Sequence, residues 1–237
     1  MKLKQLTLGF GTLAASTSLL SAATVYQIDL EKDTSSTTQS GWTSVTAPNS
    51  SGPSSLTSGS VTFTAGGAGG YFAGRAGGTW GAVNVTDADW NDLVGDTVAA
   101  RSGDGTISIS FTGLALGVEH QFTAWHNVSA TDSASFSAGL YTITPSITTG
   151  TLVGSATSGA ASNINKNAVG VVAADFNNSV INFTPDGSGN ATVLLTSADA
   201  TNHFLTFSGM QLESVPEPSS AALLGVGGLA LVFRRRK

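Results

Sequence analysis

Thr106-Ile-Ser-Ile-Ser-Phe111 is the stretch that decides the fold. Its apolar residues Ile107, Ile109 and Phe111 alternate with hydroxyl residues, which is the period of a strand with one buried face. Asp186-Gly-Ser-Gly-Asn190 is a turn signal between two further runs. Other short runs of this kind lie between turn residues: Val25–Leu30, Val61–Thr64, His120–His126, Leu140–Thr144, Val169–Phe176, Val180–Phe183, Ala191–Thr196 and Phe204–Leu212.

Many short strands between Gly- and Ser-rich turns predict an all-β fold, an antiparallel β-sandwich. A core of about 190 residues suits one such domain, a jelly roll with two sheets of four or five strands. The polar stretches 34–60 and 149–167 are interpreted as loops. Asp87–Val94 is interpreted as one short helix with Trp90, Leu93 and Val94 on its inner side. The glycines of 65–78 are interpreted as sites of tight turns or close backbone contact.

The amino terminus has the organisation of a secretory signal peptide. Lys2 and Lys4 precede an uncharged stretch from Leu6 to Leu20, and Ser21-Ala-Ala23 supplies small residues for a signal peptidase. We therefore expect residues 1–23 to form a signal helix that signal peptidase removes, with an uncleaved anchor as the alternative.

The carboxyl terminus has three parts: Val215-Pro-Glu-Pro218, an uncharged span of Ala, Leu, Val and Gly, and the basic cluster Arg234-Arg235-Arg236-Lys237. The prolines interrupt any strand or helix. A helix over 219–233 would rise about 22 Å, which is short of the hydrocarbon core. We expect residues 215–237 to be a tail in which 219–233 forms a short transmembrane helix, with the basic flank on the cytoplasmic side.

This tail resembles the PEP-CTERM sorting signal of Gram-negative bacteria, in which the same three parts occur in the same order at the chain terminus. The resemblance implies recognition of Val215, Pro216, Glu217 and Pro218 by an exosortase, a membrane transpeptidase-like enzyme. It also implies delivery to the cell surface or extracellular matrix, transient membrane anchoring, and a link to polysaccharide or biofilm.

The charge of the central region, residues 24–214, argues against nucleic acid as a partner. The region holds four basic and fourteen acidic side chains, a net charge of −10, because six of the ten basic residues lie at the two ends. Such a surface repels phosphate backbones. The chain has no cysteine, so neither a disulfide nor a catalytic thiol is available.

Candidate catalytic and metal-binding residues have structural interpretations that we prefer. His120 and His126 lie six apart, and we expect a semi-buried His120 and a His126 at the strand end, without zinc spacing. The acids Asp87, Asp89, Asp92 and Asp96 do not keep an EF-hand register, although a structural calcium ion is an alternative. We expect no catalytic residues and no cofactor. A Ser-His-Asp triad or a carboxylate pair would be found only by geometry.

Glu119-His-Gln-Phe-Thr-Ala-Trp-His-Asn127 is the strongest candidate for ligand binding. Because Trp125 points opposite to His126, we expect one of the two to be accessible, and an exposed indole stacks on sugar rings. Trp80 and Arg75 are further candidates. The alternative is a tryptophan packed under a loop.

The order of the central motifs resembles galactose-binding-like jelly-roll modules of secreted bacterial proteins. The motifs are Ile28-Asp-Leu30, Gly70–Arg75, Asp89–Val94, Phe111-Thr-Gly-Leu114, His120–His126 and Phe207–Leu212. The resemblance implies carbohydrate binding in some members and a purely structural role in others. Arg75 lacks the acidic and glycine pairing of the closest members.

Three functions follow from these patterns. The first is an exported, non-catalytic surface or matrix protein that binds polysaccharide. The second is a glycan-active enzyme on a sandwich scaffold. The third is a structural or ice-binding surface protein, against which we count the absence of regular Thr-x-Thr ranks, since Thr142/Thr144 and Thr148/Thr149 stand isolated in the chain.

Overall fold

A computed structural model describes residues 23–31, 38–47, 52–76, 84–85, 93, 96–101, 103–129, 142–160, 162–164, 169–171, 178–198 and 205–216. The predicted signal helix, the short carboxyl-terminal helix and the Asp87–Val94 helix apart from Leu93 lie outside these residues. Within the described part of the chain, we find no helix that combines the length and hydrophobicity needed to span a membrane. All the described strands belong to one compact unit, Ala22–Val215.

The first large sheet has six strands, which pair antiparallel except for one edge strand that runs parallel to its neighbour. In spatial order these strands are β12 (Thr151–Thr157), β16 (Asn178–Thr184), β9 (His120–Trp125), β19 (Gly209–Ser214), β1 (Ala23–Glu31) and β2 (Thr43–Thr46).

The second large sheet also has six strands, all paired antiparallel. In spatial order they are β13 (Gly159–Ala160), β11 (Thr142–Thr149), β17 (Ala191–Ser197), β8 (Thr106–Phe111), β4 (Val61–Ala65) and β3 (Ser55–Ser58).

Three small sheets complete the described structure. One is a three-stranded antiparallel sheet and two are parallel pairs. Their strands are β18 (Leu205–Phe207), β7 (Asp96–Arg101) and β5 (Tyr71–Ala76), then β10 (Asn127–Ser129) with β14 (Ser162–Ile164), and β15 (Val169–Val171) with β6 (Asn84–Val85).

The two large sheets pack face to face around one apolar core, which confirms the predicted antiparallel sandwich. Phe111 lies at the centre, since its ring is 6.1 Å from those of Phe122 and Phe183 and 6.2 Å from that of Tyr26. These contacts join β8 of the second sheet to β9, β16 and β1 of the first. Such aromatic packing contributes beyond the area it buries.

The strand Thr106–Phe111 has the predicted ends and the predicted faces. Ile107, Ile109 and Phe111 are completely buried, whereas the three hydroxyl residues that alternate with them are half-exposed. The turn 186–190 is confirmed as well: Asp186 N donates to Asn190 O at 2.8 Å, and Asp186 Oδ1 accepts from Ser188 N and Asn190 N, both at 2.9 Å.

The prediction of loops over 34–60 and 149–167 is wrong in part, because β2, β3, β12, β13 and β14 lie within these stretches. Four of them, β2, β3, β12 and β13, raise each large sheet to six strands, more than the predicted four or five. The reason is that β2, β3, β12 and β13 are edge strands. An edge strand buries little surface and needs little apolar alternation to pair, and β12 is exposed or half-exposed at every residue.

The glycine-dense segment makes the expected close backbone contacts. A Cβ atom on Gly103 would lie 1.8 Å from the carbonyl oxygen of Gly66, and one on Gly70 would lie 2.3 Å from the same oxygen. Only glycine permits this approach, which joins the chain before β5 to the chain before β8.

Candidate functional site

Trp125 and His126, the first candidates for ligand binding, are both buried. Trp125 is 7% exposed and packs against Trp42, with ring centroids 5.6 Å apart, while His126 is 0% exposed. The prediction that one of them would be accessible is therefore wrong. The physical reason is that the end of β9 is covered on both sides, by Trp42 on one and by Phe207 and Ser179 on the other.

The imidazole of His126 is held by two hydrogen bonds in the core. Nδ1 lies 2.8 Å from Thr206 O and Nε2 lies 2.9 Å from Ser179 Oγ. Because a carbonyl oxygen only accepts, Nδ1 carries the proton and Nε2 of the neutral ring accepts from the hydroxyl. Burial lowers the pKa of His126 to about 4, against the opposing effect of the bond to Thr206.

Ser179 connects this histidine to the opposite sheet. Its Oγ lies 3.2 Å from Ile143 O and accepts from Gly159 N at 3.3 Å. Both Ser179 and His126 have no exposed surface, so this His–Ser pair is shielded from any substrate in solution. The hydrogen bonds of the pair join β16 and β18 to β13.

His120 is more deeply buried than the semi-buried position that we expected. It is 2% exposed, its Nδ1 donates to Val118 O at 2.9 Å, and its ring stacks on Phe183 at 5.9 Å. Burial lowers the pKa of His120, while the bond to Val118 opposes the shift. His120 and His126 therefore both belong to the core face of β9.

No group of three or more potential metal ligands occurs among the described residues. Of the predicted calcium cluster, Asp96 begins β7, while Asp87, Asp89 and Asp92 lie outside the described residues. The structural calcium ion stays a prediction.

Two buried acids on β1, Asp29 and Glu31, have polar neighbours from the chain that follows. Asp29 Oδ2 accepts from Gln39 N at 2.8 Å, and Glu31 accepts from the Thr38 hydroxyl. Buried carboxylates require such hydrogen bonds. These contacts therefore hold the segment before Trp42 against the first sheet.

The remaining predicted site residues are placed only in part. Arg75 lies on β5 opposite Thr97, but its side chain, Trp80 and the tail from Glu217 to Lys237 lie outside the description. Val215 follows β19 directly, and its N–H donates to Glu119 O at 2.8 Å. The predicted tail thus begins at the end of a central strand, with no intervening linker.

Sequence reasoning missed a set of polar side chains on the outer surface of the first sheet, which we call the amide face. Its members are half-exposed and lie on β1, β9, β16 and β19: Gln27, Gln121, Thr123, Asn182, Gln211 and Glu213. The sequence signal for this face is the occurrence of amide side chains at outward positions of the predicted strands. Only the order of the strands in the sheet shows that these side chains lie on one face.

The outer surface of the second sheet is different and carries hydroxyl groups in rows, so we call it the hydroxyl face. Its members come from five strands that contain no charged residue: Ser55, Thr57, Thr62, Thr64, Thr106, Ser108, Ser110, Thr144, Ser146, Thr148, Thr192 and Thr196. Leu194 interrupts them. Cross-strand register places Thr106 opposite Thr196 and Thr196 opposite Thr144, and Ser110 Oγ lies 3.1 Å from Thr192 Oγ1.

These rows overturn one expectation from the sequence. Threonines that stand isolated along the chain lie side by side in the sheet. Each row forms because neighbouring strands contribute one hydroxyl residue each to it. The absence of repeated Thr-x-Thr motifs therefore does not imply the absence of an ordered hydroxyl face.

Comparison with solved structures finds a similarity to the functional form of the mosquito-larvicidal Cry4Aa toxin from Bacillus thuringiensis, at 11% identity and a TM-score of 0.33. The alignment covers 65% of this chain and 22% of the toxin chain, so the chain spans about a fifth of the toxin's length. No curated protein matches the chain significantly.

Residues 214–237 match the family described as the PEP-CTERM protein-sorting motif. The match starts at Ser214, the last residue of β19, and runs to the final Lys237. It includes the whole predicted tail, with its Pro-Glu-Pro sequence and its basic terminus. The chain is thus an all-β sandwich protein that carries a PEP-CTERM sorting motif at its carboxyl terminus.

Proposed function

We propose that this protein is a non-catalytic component of the cell surface or extracellular matrix of a Gram-negative bacterium and that its sandwich binds polysaccharide. The sorting motif implies export, a membrane-associated tail and processing by an exosortase. Signal peptidase removes the amino-terminal segment in this proposal. The glycan contact is made by Ala22–Val215, the unit that holds the sandwich.

The observation that carries the proposal is the chemistry of the two outer sheet surfaces. Both consist mainly of side chains that hydrogen bond without carrying charge, hydroxyls on one and amides on the other. Hydroxyl and amide groups both donate and accept, as the hydroxyls of a sugar do. The non-catalytic part is supported by the burial of His126 and Ser179, a pair with the composition of a hydrolytic site but no access for a substrate.

Polysaccharide binding is tested by affinity electrophoresis of the exported protein in gels that contain one polysaccharide each. We expect at least one uncharged polysaccharide to retard the protein relative to a gel without polysaccharide. Bovine serum albumin is the control for non-specific retardation. If none of a panel of neutral and anionic polysaccharides retards the protein, the binding function is wrong.

Sorting is tested by replacing Arg234, Arg235 and Arg236 with serine. The basic cluster holds its side of the membrane through charge, so we expect the variant to lose processing and surface display. Immunoblots of cell fractions and protease shaving of whole cells measure both. Leu116→Ser, a change at an exposed position of the sandwich, is the control, and wild-type processing of the triple variant would contradict the assignment.

A second candidate function is ice binding, which the hydroxyl face favours. Strands lie about 4.8 Å apart and every second residue about 6.8 Å apart, so the face presents hydroxyl and methyl groups in a two-dimensional array on strands that contain no charged residue. In this case the protein slows ice recrystallisation, and Thr106→Lys, which places a charge within a row, abolishes the effect. Equal ice growth with wild-type protein and buffer would exclude this function.

A further inference from the structure

We infer that the amide face is the polysaccharide-binding surface and that it takes an uncharged chain lying across the strands of the first sheet. This inference rests on the proposed function and adds the site and the class of ligand. Neither Trp125 nor His126 belongs to the surface. The six members of the amide face do, with Trp42 at one end.

Strand register places the members of this face in two adjacent rows. In one row Asn182 lies opposite Gln121, and Gln121 lies opposite Glu213. In the next row Thr123 lies opposite Gln211, and Gln211 opposite Gln27. The rows run at right angles to the strands. An extended ligand along the first row meets polar groups on β16, β9 and β19, and along the second row it meets them on β9, β19 and β1, beside Val180 on β16.

Hydrogen bonds within the face hold its amides in fixed orientations. Gln121 Nε2 donates to Asn182 Oδ1 at 3.2 Å, Asn182 Nδ2 donates to Glu119 Oε1 at 2.7 Å, and Gln211 Nε2 donates to Glu213. Each amide has two N–H donors and two acceptor lone pairs, so these bonds use only part of their capacity. Fixed side chains lose less conformational entropy when a ligand binds.

The planar amide suits a sugar because it presents a donor and an acceptor side by side. Neighbouring hydroxyls of a pyranose offer the matching pair, and two such bonds fix the orientation of the ring. The half-buried position of Gln121, Asn182 and Gln211 limits competition from water without removing access.

Trp42 supplies an apolar boundary at one end of the face. Its ring lies over Gly209, where an added Cβ atom would be 3.3 Å from Cζ3 of the indole, and it packs against Trp125. Trp42 itself is half-exposed. A half-exposed indole beside polar groups is a surface on which the C–H face of a sugar ring stacks.

Charge restricts the ligand to an uncharged chain. Glu119 and Glu213 lie at the edge of the amide network, and residues 24–214 carry a net charge of −10. An anionic polysaccharide would be repelled at ordinary ionic strength. The hydroxyl face belongs to the same negatively charged domain but has no amides and no indole, so it provides a matched comparison.

The test compares two double variants of the exported protein in affinity gels. Gln121→Met with Asn182→Leu removes amide hydrogen bonding from the first face at nearly constant volume. Thr64→Val with Thr106→Val does the same to hydroxyls on the second face. The probes are a neutral glucan and a neutral galactomannan, with alginate as the anionic comparison.

We expect the amide variant to bind the neutral probe about tenfold more weakly than wild type, as the loss of two hydrogen bonds implies, and the hydroxyl variant to bind as wild type does. Urea midpoints confirm that both variants fold, and Gln211→Met replaces the first variant if it does not. Three results would overturn this inference and leave polysaccharide binding in place: the amide variant binds as wild type does, the hydroxyl variant loses binding, or the protein prefers alginate. No retardation of wild-type protein by any probe overturns both.

Discussion

Replacing Phe111 by alanine is expected to lower the free energy of unfolding by about 3–5 kcal/mol. Phe111 is completely buried and its ring meets Phe122 and Phe183 of the facing sheet. Removing the ring leaves a cavity between the sheets that the rigid strands on either side cannot fill. Urea unfolding followed by tryptophan fluorescence measures the change.

Two variants make this result specific to packing. Phe111→Leu keeps most of the buried apolar volume and should cost less than Phe111→Ala, because the cavity is smaller. Ser108→Ala, on the same strand but facing outward, should change stability by about 0.5 kcal/mol or less. If Phe111→Ala cost no more than Ser108→Ala, the sheets would not pack around this ring.

Acidification from pH 6.5 to pH 4 is expected to destabilise the sandwich through His126. The pKa of His126 falls from 6.5 to about 4 on folding because burial disfavours the imidazolium. The unfolded chain therefore binds a proton that the folded chain does not, and stability is complete above pH 6.5 and lost as pH falls toward 4. Each unit of pKa difference corresponds to 1.36 kcal/mol, so the free energy of unfolding falls by about 3 kcal/mol.

The measurement is a series of urea midpoints between pH 7 and pH 4. His126→Asn keeps an N–H donor for Thr206 O but cannot titrate, so the variant should be less stable overall and show a shallower pH dependence. His120, whose pKa burial also lowers, adds to the slope in the same direction. A wild-type slope unchanged in His126→Asn would show that this histidine does not titrate between the two states.

The strands that were predicted correctly from the sequence are those with one buried and one exposed face. In β8, β16 and β17 burial alternates with the side-chain period of two, so the local pattern carries the information. The pattern fails for β2 and β12, which pair at sheet edges. Their partners β1 and β16 provide the pairing groups, and nothing in their own sequence requires a buried face.

The candidate site shows the same limit. The position of Trp125 on the outward side of β9 followed correctly from alternation, but its burial depends on Trp42, which approaches from the chain between β1 and β2. A contact over such a separation leaves no periodic signal. The amide and hydroxyl faces were missed for the same reason, since each combines residues from four or five strands that lie far apart in the chain.

The sequence by itself determined the sorting motif at 214–237, the excess of acidic residues and the alternation of the central strands. These features are local, because a linear peptide motif, a charge count or a two-residue period is complete within one segment. The tertiary structure alone decided which outward residues share a surface. Register between strands far apart in the chain aligns Asn182 with Gln121 and Thr196 with Thr106, and burial of both sheets' apolar faces holds that register, since a shift by one residue would turn the core side chains outward.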